Sequence, residues 1–148
     1  MGVGRRLREH FRELRIVAVE PEESNVLSGC EPGEHGIQGI GDGFIPELLD
    51  VNCVDEVLTV STDDARREAD RIRTNFGHCV GVSAGAYFSA SRKLRDRVAV
   101  VATLWPDCSN RYVSLGLAPP SATDVSCPMQ EKCIGKSLHL LGDEKGME

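Results

Sequence analysis

Ser83 lies in Gly81-Val82-Ser83-Ala84-Gly85-Ala86, a hydroxyl among small residues where a helix is about to begin. Such a hydroxyl can accept a backbone N–H and cap the helix, or it can hydrogen-bond a ligand at the helix end. From these residues alone, capping is the ordinary role. A second set is the run from Gly39 to Phe44, where Gly39, Gly41 and Gly43 would let backbone approach a ligand closely. A plain structural turn accounts for that run equally well. The third is Pro106-Asp107, which follows the apolar run Val98 to Leu104. In α/β proteins, ligands gather at the C-terminal ends of parallel strands. His35 is a base or ligand by type, although a lone histidine is more often an ordinary surface or core residue.

Amines and thiols offer less. The lysines are Lys93, on the polar face of a helix, and Lys132, Lys136 and Lys145, near the C-terminus. The cysteines are Cys30, Cys53, Cys79, Cys108, Cys127 and Cys133, without a CxxC pair. The spacing of Cys127 and Cys133 fits no common zinc pattern, and no metal site is expected. With no export signal at the N-terminus, the six are expected as reduced thiols in the cytoplasm.

These groups need elements to position them. Val3, Leu7, Phe11 and Leu14 form one apolar stripe at helical spacing. Ile16 to Val19 is a continuous apolar run, read as a strand covered on both faces. Residues 24–53 hold too many glycines for a regular element and read as a long loop, ordered or flexible. Val54 to Val60 reads as a second strand. Ser61 or Thr62 then offers an N-cap, with Asp63 and Asp64 at the positive end of the helix that follows. That helix carries Ala65, Ala69, Ile72 and Phe76 on one face and stops at Gly77. A short strand at His78 to Val80, a helix from about Ala84 to Leu94 and a strand from Val98 to Leu104 complete the order. Alternation of this kind predicts an α/β fold, three layers with a mainly parallel sheet and flanking helices. Residues 118–148, with a weak helix near Ile134 to Leu141, read as a polar, cysteine-bearing tail after a domain spanning 1–117.

Composition narrows the function classes. The formal net charge of −6 disfavours binding to a phosphate backbone. Arg5, Arg6, Arg8, Arg12 and Arg15 are the local exception and read as a solvated helix face. No run reaches the roughly 18 apolar residues of a membrane span. Neither nucleic acid nor membrane is expected as a partner, and the cytoplasm is the expected location.

Three ordered segments resemble one family. Ile16-Val17-Ala18-Val19-Glu20-Pro21-Glu22-Glu23-Ser24, with the run from Pro32 to Pro46, is similar to the strand and glycine loop of cysteine synthases (O-acetylserine sulfhydrylases). Val80 to Ala86 resembles their Gly-(Ile/Val)-Ser-(Ser/Ala)-Gly-Ala turn. Trp105 to Ser114 is similar to their PDxGERYxS ending. The resemblance runs from Gly2 to about Leu117. It implies the fold shared by tryptophan synthase β and cystathionine β-synthase, in which a small and a large domain enclose pyridoxal 5'-phosphate. The chain would supply part of the large domain, the C-terminal half of the enzyme. The implied role of Ser83 is to hydrogen-bond the pyridine nitrogen. A carboxylate there would keep the ring protonated, whereas a neutral hydroxyl suits β-replacement. Gly39, Gly41 and Pro106 are implied lining residues. Asp42 stands where the family usually has alanine, Ser109 where it has glycine and Asn110 where it has glutamate.

The implied activity is O-acetylserine plus sulfide to cysteine plus acetate, on an amino-acid substrate. The resemblance assigns no catalytic residue here, because the family's Schiff-base lysine, asparagine loop and phosphate loop precede the matching segment. The chain alone is therefore expected to be inactive, and Met1 reads as an internal or secondary start or the edge of a broken gene. Expected partners are a chain carrying the N-terminal half or a second copy, since a half-sheet exposes an edge and an apolar face. A non-catalytic remnant or interaction module, and a cystathionine β-synthase-like fragment, are the alternative readings.

Overall fold

The computed structural model describes residues 1–109, 111 and 112. Asn110, Cys127, Cys133, the three C-terminal lysines and the expected tail lie outside the described residues. The chain forms two compact units, Met1–Thr62 and the residues from Asp63 onward.

The first unit holds α1 (Gly2–His10), β1 (Val17–Pro21) and β2 (Glu56–Val60). The two strands pair in parallel, with Val17 opposite Glu56 and Pro21 opposite Val60. The sheet is narrower than the sequence implied, so Val17, Ala18 and Val19 are half-buried rather than covered on both faces. α1 ends before Phe11, and its stripe faces solvent, with Val3 70% and Phe11 61% exposed. Arg5 of α1 pairs with Asp50 at 3.1 Å and Arg8 with Asp55, while Arg15, beyond the helix, pairs with Glu56 at 3.0 Å.

The connection from β1 to β2 is ordered by side chains at its ends. Glu20, only 4% exposed, accepts from the N–H groups of Leu27 and Ser28 and from the Ser28 hydroxyl. Glu23 accepts from the Thr62 N–H at 2.8 Å, while the Thr62 hydroxyl accepts from the Gly36 N–H at 2.9 Å. The acceptor at the head of the next helix is thus a glutamate 39 residues upstream. Burial alone would raise the Glu23 pKa, but the N–H of Thr62 holds it below the usual carboxylate range.

The second unit packs α2 (Thr62–Phe76) against α3 (Val82–Leu94). Ala69 and Ile72 of α2 meet Val80, Ala84 and Phe88, and Trp105 closes the cluster. Gly77, at φ 68, ends α2 in the left-handed conformation expected of it. The strands expected at His78–Val80 and Val98–Leu104 form no ladder among the described residues. An apolar run becomes a strand only with a neighbour to pair with. Here Val100 and Leu104 are instead 61% and 69% exposed. Among the described residues, no helix is long and apolar enough to cross a membrane.

Candidate functional site

α3 begins two residues earlier than expected, at Val82, with Gly81 as its N-cap at φ −79 and ψ 175. Ser83 is therefore the second helical residue, not the cap, and it is 4% exposed. Its hydroxyl sits in the turn where backbone N–H groups lack intrahelical partners and the helix end carries partial positive charge.

The glycines around Ser83 have packing reasons. A Cβ on Gly85 would lie 1.9 Å from the Ala65 carbonyl oxygen and 2.6 Å from the Ala69 nitrogen, both backbone atoms of α2. Gly85 thus lets two helices cross in contact. A Cβ on Gly81 would lie 2.2 Å from Oδ1 of Asp107. The Gly81 N–H also donates to the Asp107 carbonyl at 3.1 Å. These two contacts draw the Pro106-Asp107 segment onto the head of α3. Pro106 itself is exposed.

Asp107 organises this corner. Its Oδ2 accepts from the Tyr112 hydroxyl, and that bond, with burial, pushes the Tyr112 pKa up to about 12. Burial and the same carboxylate raise Tyr87. Oδ1 of Asp107 and Nε1 of Trp105 are buried without a hydrogen-bond partner. Trp105 stands 5.7 Å from the His78 ring.

The sulfurs of Cys79 and Cys108 are joined in a disulfide, with their Cα atoms 5.0 Å apart. This corrects the expectation of reduced, scattered thiols. The two lie 29 residues apart, and spacing in sequence carries no signal for such a pair. Cys30 and Cys53 are free.

Gly39, Gly41 and Gly43 belong to the first unit and adopt φ values of 88, 71 and 80. Only Gly39 of the three has open space where a Cβ would stand. Gly41 is filled from outside by Pro21 and by the His35 ring. Nε2 of His35 donates to the Gly41 carbonyl at 2.8 Å, and Nδ1 accepts from the Ile37 N–H at 3.2 Å. His35 is a clasp for the loop, a role that sequence gave no means of seeing. Asp42 stands exposed.

The head of α3 fits the ring side of a pyridoxal group. Asp107 accepts from the Tyr112 hydroxyl at Oδ2 and from the Gly81 N–H at its backbone carbonyl, and the Ser83 hydroxyl is a neutral donor or acceptor in the same turn. The positive helix end also disfavours a proton on a ring nitrogen placed there. The amine does not fit. Lys93, the lysine among the described residues, is exposed and ten positions along α3, about 15 Å from Ser83.

Comparison with known proteins gives the family. Residues 1–103 match the family model described as pyridoxal-phosphate dependent enzyme. A cysteine synthase of Staphylococcus aureus (strain Mu50) is 39% identical over 119 residues, 78% of this chain and 38% of the relative. The chain thus spans well under half the length of the curated relatives it matches. The crystal structure of O-acetyl serine sulfhydrylase isoform 3 from Entamoeba histolytica superposes with a TM-score of 0.75 at 39% identity, over 78% of this chain and 36% of that one. An O-acetylserine dependent cystathionine β-synthase from Helicobacter pylori gives 0.68 at 34%, over 76% and 38%. With cysteine synthases among its relatives, an α/β architecture and a parallel strand pair, the chain belongs to the pyridoxal-phosphate dependent enzymes.

Proposed function

We propose that this chain supplies the pyridine-ring side of the active site of a β-replacing enzyme of the cysteine synthase kind, acting on O-acetylserine and sulfide to give cysteine and acetate. The observation that carries the reading is the buried Ser83 in the first turn of α3, with the Trp105–Asp107 segment drawn onto the same turn. Bound pyridoxal 5'-phosphate would supply the electron sink for β-elimination and replacement. Ser83 would hold its ring nitrogen through a neutral hydrogen bond, and the helix end would keep that nitrogen from gaining a proton. Asp107 and Tyr112 would hold the turn in place, while Gly39 and its neighbours offer backbone in the glycine loop. Pro106 and Gly41 are proposed as lining residues.

The attachment lysine and the phosphate cradle must come from the remainder of the enzyme, whether in the same polypeptide or another. The exposed apolar side chains of Val3, Phe11 and Leu48 in the first unit, and of Leu104 in the second, support the reading that each unit has apolar surface for the remainder of the enzyme to cover. Alone, the 148 residues are inactive and marginal in solution under this reading, and a second copy or the complementary half is the proposed partner. A soluble, cytoplasmic setting is the proposed one, supported by the cysteine synthases among its relatives.

The test is complementation. The chain is coexpressed with the part of the S. aureus cysteine synthase that it does not match, and cysteine formed from O-acetylserine and sulfide is measured. Activity is expected only with both parts present. Activity of this chain alone would refute the assignment of the amine to the other part. No activity from any assembled, folded pair would favour the non-catalytic remnant.

A further inference from the structure

The second unit holds a pair of side chains for which cofactor chemistry has no use. Cys79 and Cys108 join two segments that build the ring side of the site: Cys79 precedes Gly81 and Ser83, and Cys108 follows Pro106-Asp107. The same two segments are tied by the Gly81 N–H to the Asp107 carbonyl and by the Asp107 carboxylate lying on Gly81. Sγ of Cys79 also lies 3.3 Å from the Ser109 hydroxyl. Cys79 is half-buried and Cys108 is 5% exposed, so a small thiol from solvent meets the pair at Cys79. The single tryptophan, Trp105, packs against the apolar cluster that includes Val80 and Ala84.

We propose that Cys79–Cys108 is a reversible thiol–disulfide site that fixes the Ser83 turn to the Trp105–Asp107 segment when oxidised and releases it when reduced. The reagent class is a low-molecular-weight thiol with its disulfide, of the glutathione type. On oxidation, the Cys79 thiol loses its proton and its sulfur attacks the external disulfide, expelling one thiolate. The Cys108 sulfur, also deprotonated, then attacks the mixed disulfide at Cys79 and expels the second thiolate. The two protein sulfurs lose two electrons in all, the external disulfide gains them, and the two released protons end on the two expelled thiolates. Reduction runs the same steps backwards, entering at Cys79. The consequence for the cofactor rests on the reading that Ser83 meets the pyridine nitrogen. The thiol chemistry does not.

The purified chain is equilibrated in mixtures of glutathione and glutathione disulfide, alkylated, and mapped by non-reducing peptide mass spectrometry, with Trp105 fluorescence followed in parallel. The linked Cys79–Cys108 peptide is expected to grow with the disulfide fraction and vanish in excess thiol, with the Trp105 emission changing at the same midpoint. Free thiols at both positions in every mixture, or Cys79 linked to another cysteine, would overturn the site. A link that survives excess thiol in the folded chain would overturn its reversibility. In the protein assembled with its lysine-bearing remainder, the oxidised form is expected to bind pyridoxal phosphate about threefold more tightly, because a pinned turn costs less to order. The Cys79→Ser, Cys108→Ser double variant should lose that difference. Equal affinity in both states, in a protein where Ser83→Ala still weakens binding, would overturn the positioning role. Unchanged affinity in Ser83→Ala would instead sink the functional reading, and the thiol map would still decide the site.

Discussion

Ser83 is worth one hydrogen bond to the cofactor under this account. Removing it in Ser83→Ala costs about 1–1.5 kcal/mol, so pyridoxal phosphate affinity of the assembled enzyme should fall roughly tenfold. A fluorescence titration of the cofactor reads this directly, and thermal stability should change little. Asp107 and Tyr112 make a prediction in pH. The folded Tyr112 holds its proton up to about 12, above the value near 10 of an unfolded tyrosine. Its contribution to stability is therefore complete below about pH 10 and is lost as pH rises through the folded value. The melting temperature of the chain should drop over that alkaline window, and Tyr112→Phe should flatten the drop. His35 joins two backbone groups, with Nε2 donating to the Gly41 carbonyl and Nδ1 accepting from the Ile37 N–H. His35→Ala leaves the Gly41 carbonyl and the Ile37 N–H without these partners, so amide exchange across residues 36–43 should quicken while that in α2 does not.

At the scale of elements, the contact of α2 with α3 is the most demanding. Gly85→Ala drives a methyl into the backbone of Ala65 and Ala69, atoms that cannot rotate away. The expected loss is about 1–3 kcal/mol, seen in denaturant melts. α2 was legible because its apolar residues repeat at helical spacing and Gly77 stops it. The segment Val98–Leu104 was misread because a strand is a property of a pair, and apolar content in one segment does not supply the partner. The head of α2 was half legible: Asp63 and Asp64 stand in its first turn, but the Thr62 N–H is bound by Glu23 across 39 residues. Local patterns cannot report such a distant acceptor. The glycine motif around Ser83 was recognised as a motif, yet its glycines are explained by Asp107 and by α2, neither of which is adjacent in sequence.

For the whole molecule, two features decide behaviour. The Cys79–Cys108 link closes a loop with a separation of 29 residues. Chain-entropy arguments give such a link about 3–4 kcal/mol, so full reduction should lower the melting temperature by on the order of 10 °C. The exposed pairs of Arg5, Arg8 and Arg15 contribute little by comparison, as surface ion pairs do. The other feature is how much of an enzyme this chain represents, 38% of the length of its S. aureus relative. Its described residues carry Ser83, proposed to meet the pyridine nitrogen, and, in Lys93, an amine ten positions further along α3. The central claim is therefore a division of labour: ring side here, attachment lysine elsewhere. Borohydride reduction of the assembled, cofactor-loaded enzyme, followed by peptide mapping, fixes pyridoxal phosphate to the amine that holds it. The account predicts the label on a lysine of the remainder and none on this chain; label on Lys93, Lys132, Lys136 or Lys145 would contradict it.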